Sequence, residues 1–259
     1  MISTRKVWAV ARVSLLELFR RRDVYAALIL ALVLLVPLSM VNFFGVEGIV
    51  RHLREASLLL IWIFVLVITV TNAARQIPGE LQRRTILPLL ARPILRSEVV
   101  LGKFTGSALA ASAALLLFYL CYALLTGWRS GFWPDLALAQ AVLMHLAFVW
   151  LLTAMTLAGS LFLTASANVT CCVLIAAGML LFGEQLPRIA DQAAVPAAWI
   201  IRLVHYVAPH FEFYDSRVRL IHEWGAYEWG ALVLVMVYTL LYIVFFLGLA
   251  TLVFNRKRL

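Results

Sequence analysis

The chain has 259 residues, of which 64% are apolar and 14% are charged, and its formal net charge is +9. This composition excludes a soluble globular domain, and because the lysines and arginines flank apolar runs, the positive charge indicates membrane topology rather than nucleic-acid binding. The length suffices for one membrane domain but not for an added nucleotide-binding domain, so any energy source is expected on another chain.

The first predicted element is an amphipathic helix over residues 5–22. Its apolar stripe consists of Val7, Trp8, Ala11, Leu15, Leu18 and Phe19. Because most of its basic residues lie off this stripe, we predict an interfacial helix whose arginines contact anionic membrane lipid. A cytoplasmic extension of the first span is the alternative.

Six later segments are apolar over about the 20 residues that a helix needs to cross a bilayer. They are residues 24–44, 57–74, 104–126, 136–158, 166–183 and 230–254. The fourth and fifth are separated only by the small and polar residues 164–168, which predict a tight hairpin. The predicted fold is therefore all-α and integral to the membrane, with six transmembrane helices in a single domain, 1–259.

Basic residues orient the six spans. They concentrate before the first span, within residues 75–103 and in the tail 256–258, which all lie on one side of a six-span chain. Because positively charged loops stay in the cytoplasm, we predict a multi-pass protein with both termini cytoplasmic. The aromatic-rich segment 184–229, interrupted by prolines, then lies outside, where we predict short helices at the outer face.

No motif for a cofactor, a metal or catalysis is complete in the sequence. The Gly102-Lys103 pair lacks the flanking glycine and hydroxyl residue of a phosphate loop, since Ser97 and Phe104 stand at those positions. A partial zinc-protease motif at 222–226 lacks its second histidine. No acid or lysine lies at the centre of a predicted span, which disfavours an ion-coupled transporter. We therefore expect no catalytic, cofactor-binding or metal-binding residue in this chain.

Residues 77–96, between the second and third spans, are basic and punctuated by proline. Pro78 suits the first turn of a helix, and a short cytoplasmic helix over Glu80 to Leu87 would end at Pro88 and Pro93. Since so short a helix cannot bury its own apolar residues, a docking element is favoured over a solvated loop.

The stretch 79–106 follows the pattern G-E-x-x-x-x-T-I-L-P-L-L-A-R-P-I-x-R-S-E-x-V-L-G-K-F-x-G. It resembles the first cytoplasmic loop of ABC-2 type transporter permeases, the membrane subunits of ATP-binding-cassette exporters. The resemblance implies a permease that exports a substrate across the bacterial cytoplasmic (inner) membrane and is not itself an enzyme. It also implies two copies of an ABC ATPase subunit, which bind ATP and Mg²⁺, and a second permease in a homodimer or heterodimer.

The resemblance also assigns roles to individual residues. Contacts with the ATPase are expected from Gly79, Glu80, Arg83, Arg84, Thr85, Leu87 and Leu90. Placement of the loop at the lipid headgroups is expected from Arg92, Arg96 and Lys103. Independently of the resemblance, the four-residue spacing of Gly102, Gly106 and Ala110 is typical of a surface that another helix approaches closely.

Two other functions stay open at the level of sequence. A six-span membrane enzyme acting on lipid is suggested by His205, His210, Asp215, His222 and Glu223, although their spacing matches no catalytic pattern. The chain could also anchor or scaffold another complex. The identity of the substrate does not follow, although a path with few charges suits an amphiphile, lipid, peptide or glycoconjugate better than a small ion.

Overall fold

The computed structural model describes residues 4–20, 29–30, 33, 45–82, 95–130 and 135–256, and this part of the chain is helical without strands. Its α-helices are α1 Thr4–Arg20, α2 Gly45–Gln82, α3 Arg96–Ser130, α4 Leu136–Gly159, α5 Ala165–Phe182, α6 Leu186–Gln192, α7 Val195–Val207, α8 Arg217–Ile221 and α9 Trp229–Arg256. Two 3₁₀ turns, Gly183–Gln185 and Phe211–Tyr214, interrupt the region between α5 and α8.

Five stretches of the described residues are long and apolar enough to cross a membrane. They are Arg51–Gly79, Arg96–Trp128, Leu136–Gly159, Ala165–Gln192 and Trp229–Arg256. Each contains one of the predicted spans from the second to the sixth, so the chain is a multi-pass membrane protein. The predicted first span, 24–44, lies almost entirely outside the described residues, and the six-span layout therefore stays a prediction.

The centre of the domain is α4, which packs against α2, α3, α5 and α9. This helix is apolar on all sides, as expected for a helix that neighbours cover all round. Its one imidazole, His145, is fully buried, stacks on Trp62 of α2 at 4.1 Å between ring centroids, and lies 3.2 Å through Nδ1 from the Tyr119 hydroxyl of α3. His145 therefore joins three helices through ring stacking and a polar contact.

The hairpin between α4 and α5 lies earlier than the sequence indicates. The turn occupies residues 160–163, and Thr164 is the N-cap of α5, with its hydroxyl accepting from the Ala167 amide at 3.4 Å. Asn168, predicted as part of the break, lies in the helix and donates from Nδ2 to the Thr156 carbonyl of α4 at 2.9 Å. A contact between helices thus satisfies the polar side chain that locally favours a turn.

The region between α5 and α9 folds back against the spans. Phe211 and Tyr214 are fully buried, and the Phe211 ring lies 5.2 Å from that of Phe148 in α4. Because Thr239 donates its hydroxyl hydrogen to the Val235 carbonyl at 2.6 Å, the Tyr214 hydroxyl donates to Thr239 Oγ1 at 2.8 Å. Burial raises the pKa of Tyr214 to about 12, so this donor stays protonated at physiological pH. The location of the region at the outer face stays a prediction.

The N-terminal helix α1 packs along α3. Its buried face comprises Val10, Ala11 and Ser14, whereas Trp8 of the predicted stripe is 60% exposed. Ala11 belongs to both the predicted stripe and the buried face, whereas Val10 and Ser14 of the buried face lie outside the stripe. The position of α1 in the membrane interface stays a prediction.

Glycines on α3 permit this approach. A Cβ at Gly102 would lie 2.6 Å from Val10 Cβ, and a Cβ at Gly106 would lie 2.6 Å from the Ala11 carbonyl oxygen. The obstacle at Gly106 is backbone and cannot be moved by a change of rotamer. The two helices can therefore keep this distance only while position 106 carries no side chain.

We predict that Gly106→Leu lowers the free energy of unfolding by about 1–3 kcal/mol, because the new side chain forces α1 away from α3. Thermal unfolding of the detergent-solubilised protein measures the effect, at about 2–4 °C per kcal/mol. The matched control is Gly248→Leu in α9, where an added Cβ meets nothing within 4 Å. Equal midpoints for the two variants would contradict the assigned contact.

Candidate coupling site

The structure places the two ends of the predicted coupling region, although not its middle. Gly79 and Glu80 lie in the last turn of α2, and Arg96 begins α3. The described residues do not include Arg83, Arg84, Thr85, Leu87, Leu90 or Arg92. The contacts of these six residues with an ATPase stay predictions.

The expectation that a separate helix starts at Pro78 is wrong. Helix α2 continues through Pro78 as far as Gln82. A proline inside a helix removes one backbone hydrogen bond, but Gln76 and Ile77 directly before it are only 6% and 1% exposed. Packing of these neighbours therefore keeps the chain helical past the proline, and α2 projects toward the coupling region as one continuous rod.

The start of α3 is fixed by Glu98, which belongs to the loop pattern but has no role predicted from the sequence. Its Oε2 accepts from the Leu95 amide at 2.9 Å, and the side chain is only 1% exposed. This is the reach-back contact of a capping box, in which the third helical residue satisfies the amide before the helix. The carboxylate also lies near the positive end of the α3 dipole. A glutamate three residues after the cap position is the sequence signal that could have identified it.

Arg96 joins the start of α3 to the end of α9. Its guanidinium donates to the Phe254 carbonyl at 2.8 Å and to the Asn255 carbonyl at 3.0 Å, and it lies 5.8 Å from the centroid of the Phe254 ring. The last carbonyls of a helix lack partners within it, and a cation there also complements the helix dipole. The residue predicted to place the loop thus contacts protein, and it connects the loop to the last helix of the chain.

Lys103 lies between helices rather than at an exposed headgroup position. It is 2% exposed, and its Nζ donates to Gln76 Oε1 of α2 at 3.3 Å. Gln76 Nε2 in turn donates to Asn72 Oδ1 at 3.3 Å. This polar line, Lys103, Gln76 and Asn72, connects α3 to α2 at the ends that carry the coupling region. The four-residue spacing of Asn72 and Gln76 at the end of an apolar span was the available signal.

Four helices therefore meet where the coupling region begins and ends. Helix α1 lies against Gly102 and Gly106, α2 is bonded to Lys103, and α9 is bonded to Arg96. Ala110, the third member of the predicted packing set, is fully buried further along α3. These contacts pack and hydrogen-bond the four helices to one another, which suits the transmission of movement between helices.

The residues that suggested a lipid-directed enzyme are mostly separated. The structure brings together only His205 and His210, whose ring centroids are 4.6 Å apart. Asp215 and Glu223 instead form separate ion pairs with arginines. Among the residues that the structure describes, no group of three or more His, Cys, Asp or Glu could hold a metal ion.

The chain matches a known protein family. A family model described as ABC-2 family transporter protein matches residues 34–259, which include α2 to α9 and the whole coupling region. A search of the curated proteins found no match to the chain.

We predict that Arg96→Met frays the last turn of α9, because two carbonyls lose a charged donor. Hydrogen bonds to a charged group contribute about 1.5 kcal/mol to the free energy of local opening. Their loss should therefore make amide exchange in residues 253–256 roughly tenfold faster. Hydrogen exchange followed by mass spectrometry measures this change. Arg256→Met is the control, since it removes an exposed cation from the same helix end and leaves both bonds intact. Equal acceleration in both variants would assign the effect to charge alone.

Proposed function

Because the chain belongs to the ABC-2 transporter family, we propose that it forms the membrane path of an ATP-driven exporter in the bacterial cytoplasmic membrane. Members of this family are permease components of ABC transporters and are not themselves catalytic. The observation that carries the proposal is the family match over residues 34–259. The apolar helices agree with it, since they supply a multi-pass membrane domain.

The family implies association with an ABC ATPase subunit. We propose two ATPase copies and a second permease, which is either identical or related to this chain. The burial of the spans supports pairing of permeases, because α5 and α9 bury little of their apolar surface within the chain, whereas α4 buries most of its own. Apolar faces of this kind are available for lipid or for another membrane subunit. ATP and Mg²⁺ are proposed to bind on the ATPase.

The proposed route of coupling starts at residues 77–96. Closure of the ATPase pair would displace this region, and with it the end of α2 and the start of α3. The reach-back contact of Glu98 and the bonds from Arg96 to α9 support transmission, because they tie the returning chain to two helices at once. The packing of α1 against Gly106 would carry the same displacement to the N-terminal helix.

The proposed orientation places both termini and the coupling region in the cytoplasm. It is supported by the concentration of lysine and arginine on that side of a six-span chain. The ends of α2 and α3 that carry Glu98, Lys103 and Gln76 then face the ATPase, and the opposite ends face outward.

Reversal of three charges tests the docking role. We predict that Glu80→Lys with Arg83→Glu and Arg84→Glu abolishes co-purification of the co-expressed ABC ATPase and its turnover in proteoliposomes, because like charges then oppose each other in the contact. The permease itself should still elute as a single folded species.

The matched control reverses three charges on the opposite side of the domain. Arg188, Asp191 and Arg202 are exposed, and Asp191 pairs with Arg202 at 3.0 Å. Arg188→Glu with Asp191→Lys and Arg202→Glu should leave ATPase association at the wild-type ratio. Retention of the ATPase by the Glu80 triple variant would show that this segment does not dock it.

A further inference from the structure

A second site lies at the end of the spans opposite to the coupling region. It is a half-open pocket of about 320 Å³ between the first part of α2, the last part of α3, the start of α4, α8 and the turn that follows α8. Its polar lining residues are Arg54, Tyr122, Thr126, Asp135, Arg219 and Glu223. Under the proposed orientation this pocket opens to the outer side.

The charged wall of the pocket contains an ion pair whose two side chains differ in solvent exposure. Arg54 of α2 donates to Glu223, and the arginine side chain is 14% exposed whereas the glutamate side chain is 69% exposed. A guanidinium this buried is costly to leave without an anion. Its present partner is an exposed side chain, which can rotate away from Arg54 without opening the helical core. Any group that replaces Glu223 on Arg54 must therefore be an anion.

Glu223 is held in a conformation that its residue type disfavours. Its φ is 55°, in the left-handed region, and Gly225 follows with a φ of 78°. Strained positions of this kind persist where surrounding contacts impose them, and they concentrate at binding sites.

Surrounding contacts impose this turn. Arg219 donates to the Ala226 carbonyl at 3.1 Å, and its guanidinium lies 4.1 Å from the centroid of the Tyr227 ring. Gln140 of α4 accepts from the Tyr227 amide at 2.6 Å and donates to the Tyr227 carbonyl at 3.1 Å. The segment after Glu223 is thus fixed to α4, which leaves the Glu223 side chain as the exchangeable partner.

The charge balance defines the ligand. With Glu223 in place, two arginines face two carboxylates, those of Asp135 and Glu223. Asp135 is committed to α4, because its Oδ1 caps the Leu138 amide at 3.0 Å. Displacement of Glu223 therefore leaves an excess of one positive charge, which a monoanion neutralises. A guanidinium binds the paired oxygens of a phosphate in bidentate geometry.

We infer that this pocket binds the phosphodiester headgroup of an anionic lipid, with Arg54 as the anchor and Glu223 as the resident carboxylate that the lipid phosphate displaces. The volume suits a headgroup rather than a whole lipid. Leu138 and Leu220 supply apolar walls beside the charges, as an amphiphile requires. The acyl chains would remain in the surrounding bilayer. The inference does not rest on the proposed exporter function, because binding needs neither an ATPase nor ATP.

Native mass spectrometry of the delipidated full chain tests this site. The probes are phosphatidylglycerol, inorganic phosphate and an uncharged galactolipid. We expect one phosphatidylglycerol per chain to bind more tightly than the galactolipid and inorganic phosphate. Arg54→Gln should weaken that binding at least tenfold, because the charged donor is lost. Glu223→Gln should strengthen it several-fold, because the competing anion is removed.

If Arg54→Gln fails to fold, Glu223→Gln still tests the site. Glu223 is exposed, so its substitution should not prevent folding, and loss of its charge predicts tighter lipid binding. Arg202→Gln is the control, because Arg202 forms an exposed ion pair with Asp191 in the same outer region. It should bind phosphatidylglycerol like the wild type. Weaker binding in Glu223→Gln, unchanged binding in Arg54→Gln or equal binding of the galactolipid would overturn the site. Inorganic phosphate binding as tightly as the lipid would assign the pocket to a free anion and overturn the lipid assignment.

Discussion

The close approach of α1 to α3 at Gly102 and Gly106 is the contact on which the coupling end of the domain depends. In a bilayer the surrounding lipid is as apolar as the helices, so burial of apolar surface does not drive helices together. Association must come from van der Waals contact and from hydrogen bonds between helices. Contact of α3 with the α1 backbone at Gly106 provides the van der Waals contact. The same contact holds the segment of α3 that carries Glu98 and Lys103. The polar contacts of that end act on a helix whose position is already fixed.

Three charged side chains lie near the ends of long helices, where each joins its helix to another element. At the coupling end, Arg96 binds the last carbonyls of α9, and Lys103 binds Gln76 of α2. At the other end, Arg54 of α2 binds Glu223. A polar group at membrane depth is tolerated when a partner is available, and each of these partners comes from a different element. The same contacts that satisfy the groups therefore also hold the helices in register.

The sequence predicts the spans well and their connections less well, for a physical reason. Long apolar runs are a local property, and the five described spans follow them. Pro78 and Asn168 obey local rules for breaking a helix, yet both lie inside helices. The residues directly before Pro78 are buried, and Asn168 bonds to the Thr156 carbonyl of α4. The Arg54 and Glu223 pair joins residues 169 positions apart, which no periodicity reveals. Arg96 was predicted to position the loop, but its partners on α9 are visible only in three dimensions.

Helices α2 and α3 connect the coupling end to the pocket at the opposite end of the domain as continuous rods. At 1.5 Å per residue, Gln76 and Arg54 lie about 33 Å apart along α2, and Lys103 and Tyr122 lie about 28 Å apart along α3. Both pairs have one member in the polar line and the other in the pocket. A tilt of either rod about its middle moves both of its ends, because no break interrupts the helix between them. Glu223 belongs to a turn that is fixed to α4 through Gln140, so a tilt of α2 relative to α4 changes the distance between Arg54 and Glu223. Movement of the coupling region that tilts α2 would therefore act on the ion pair at the pocket.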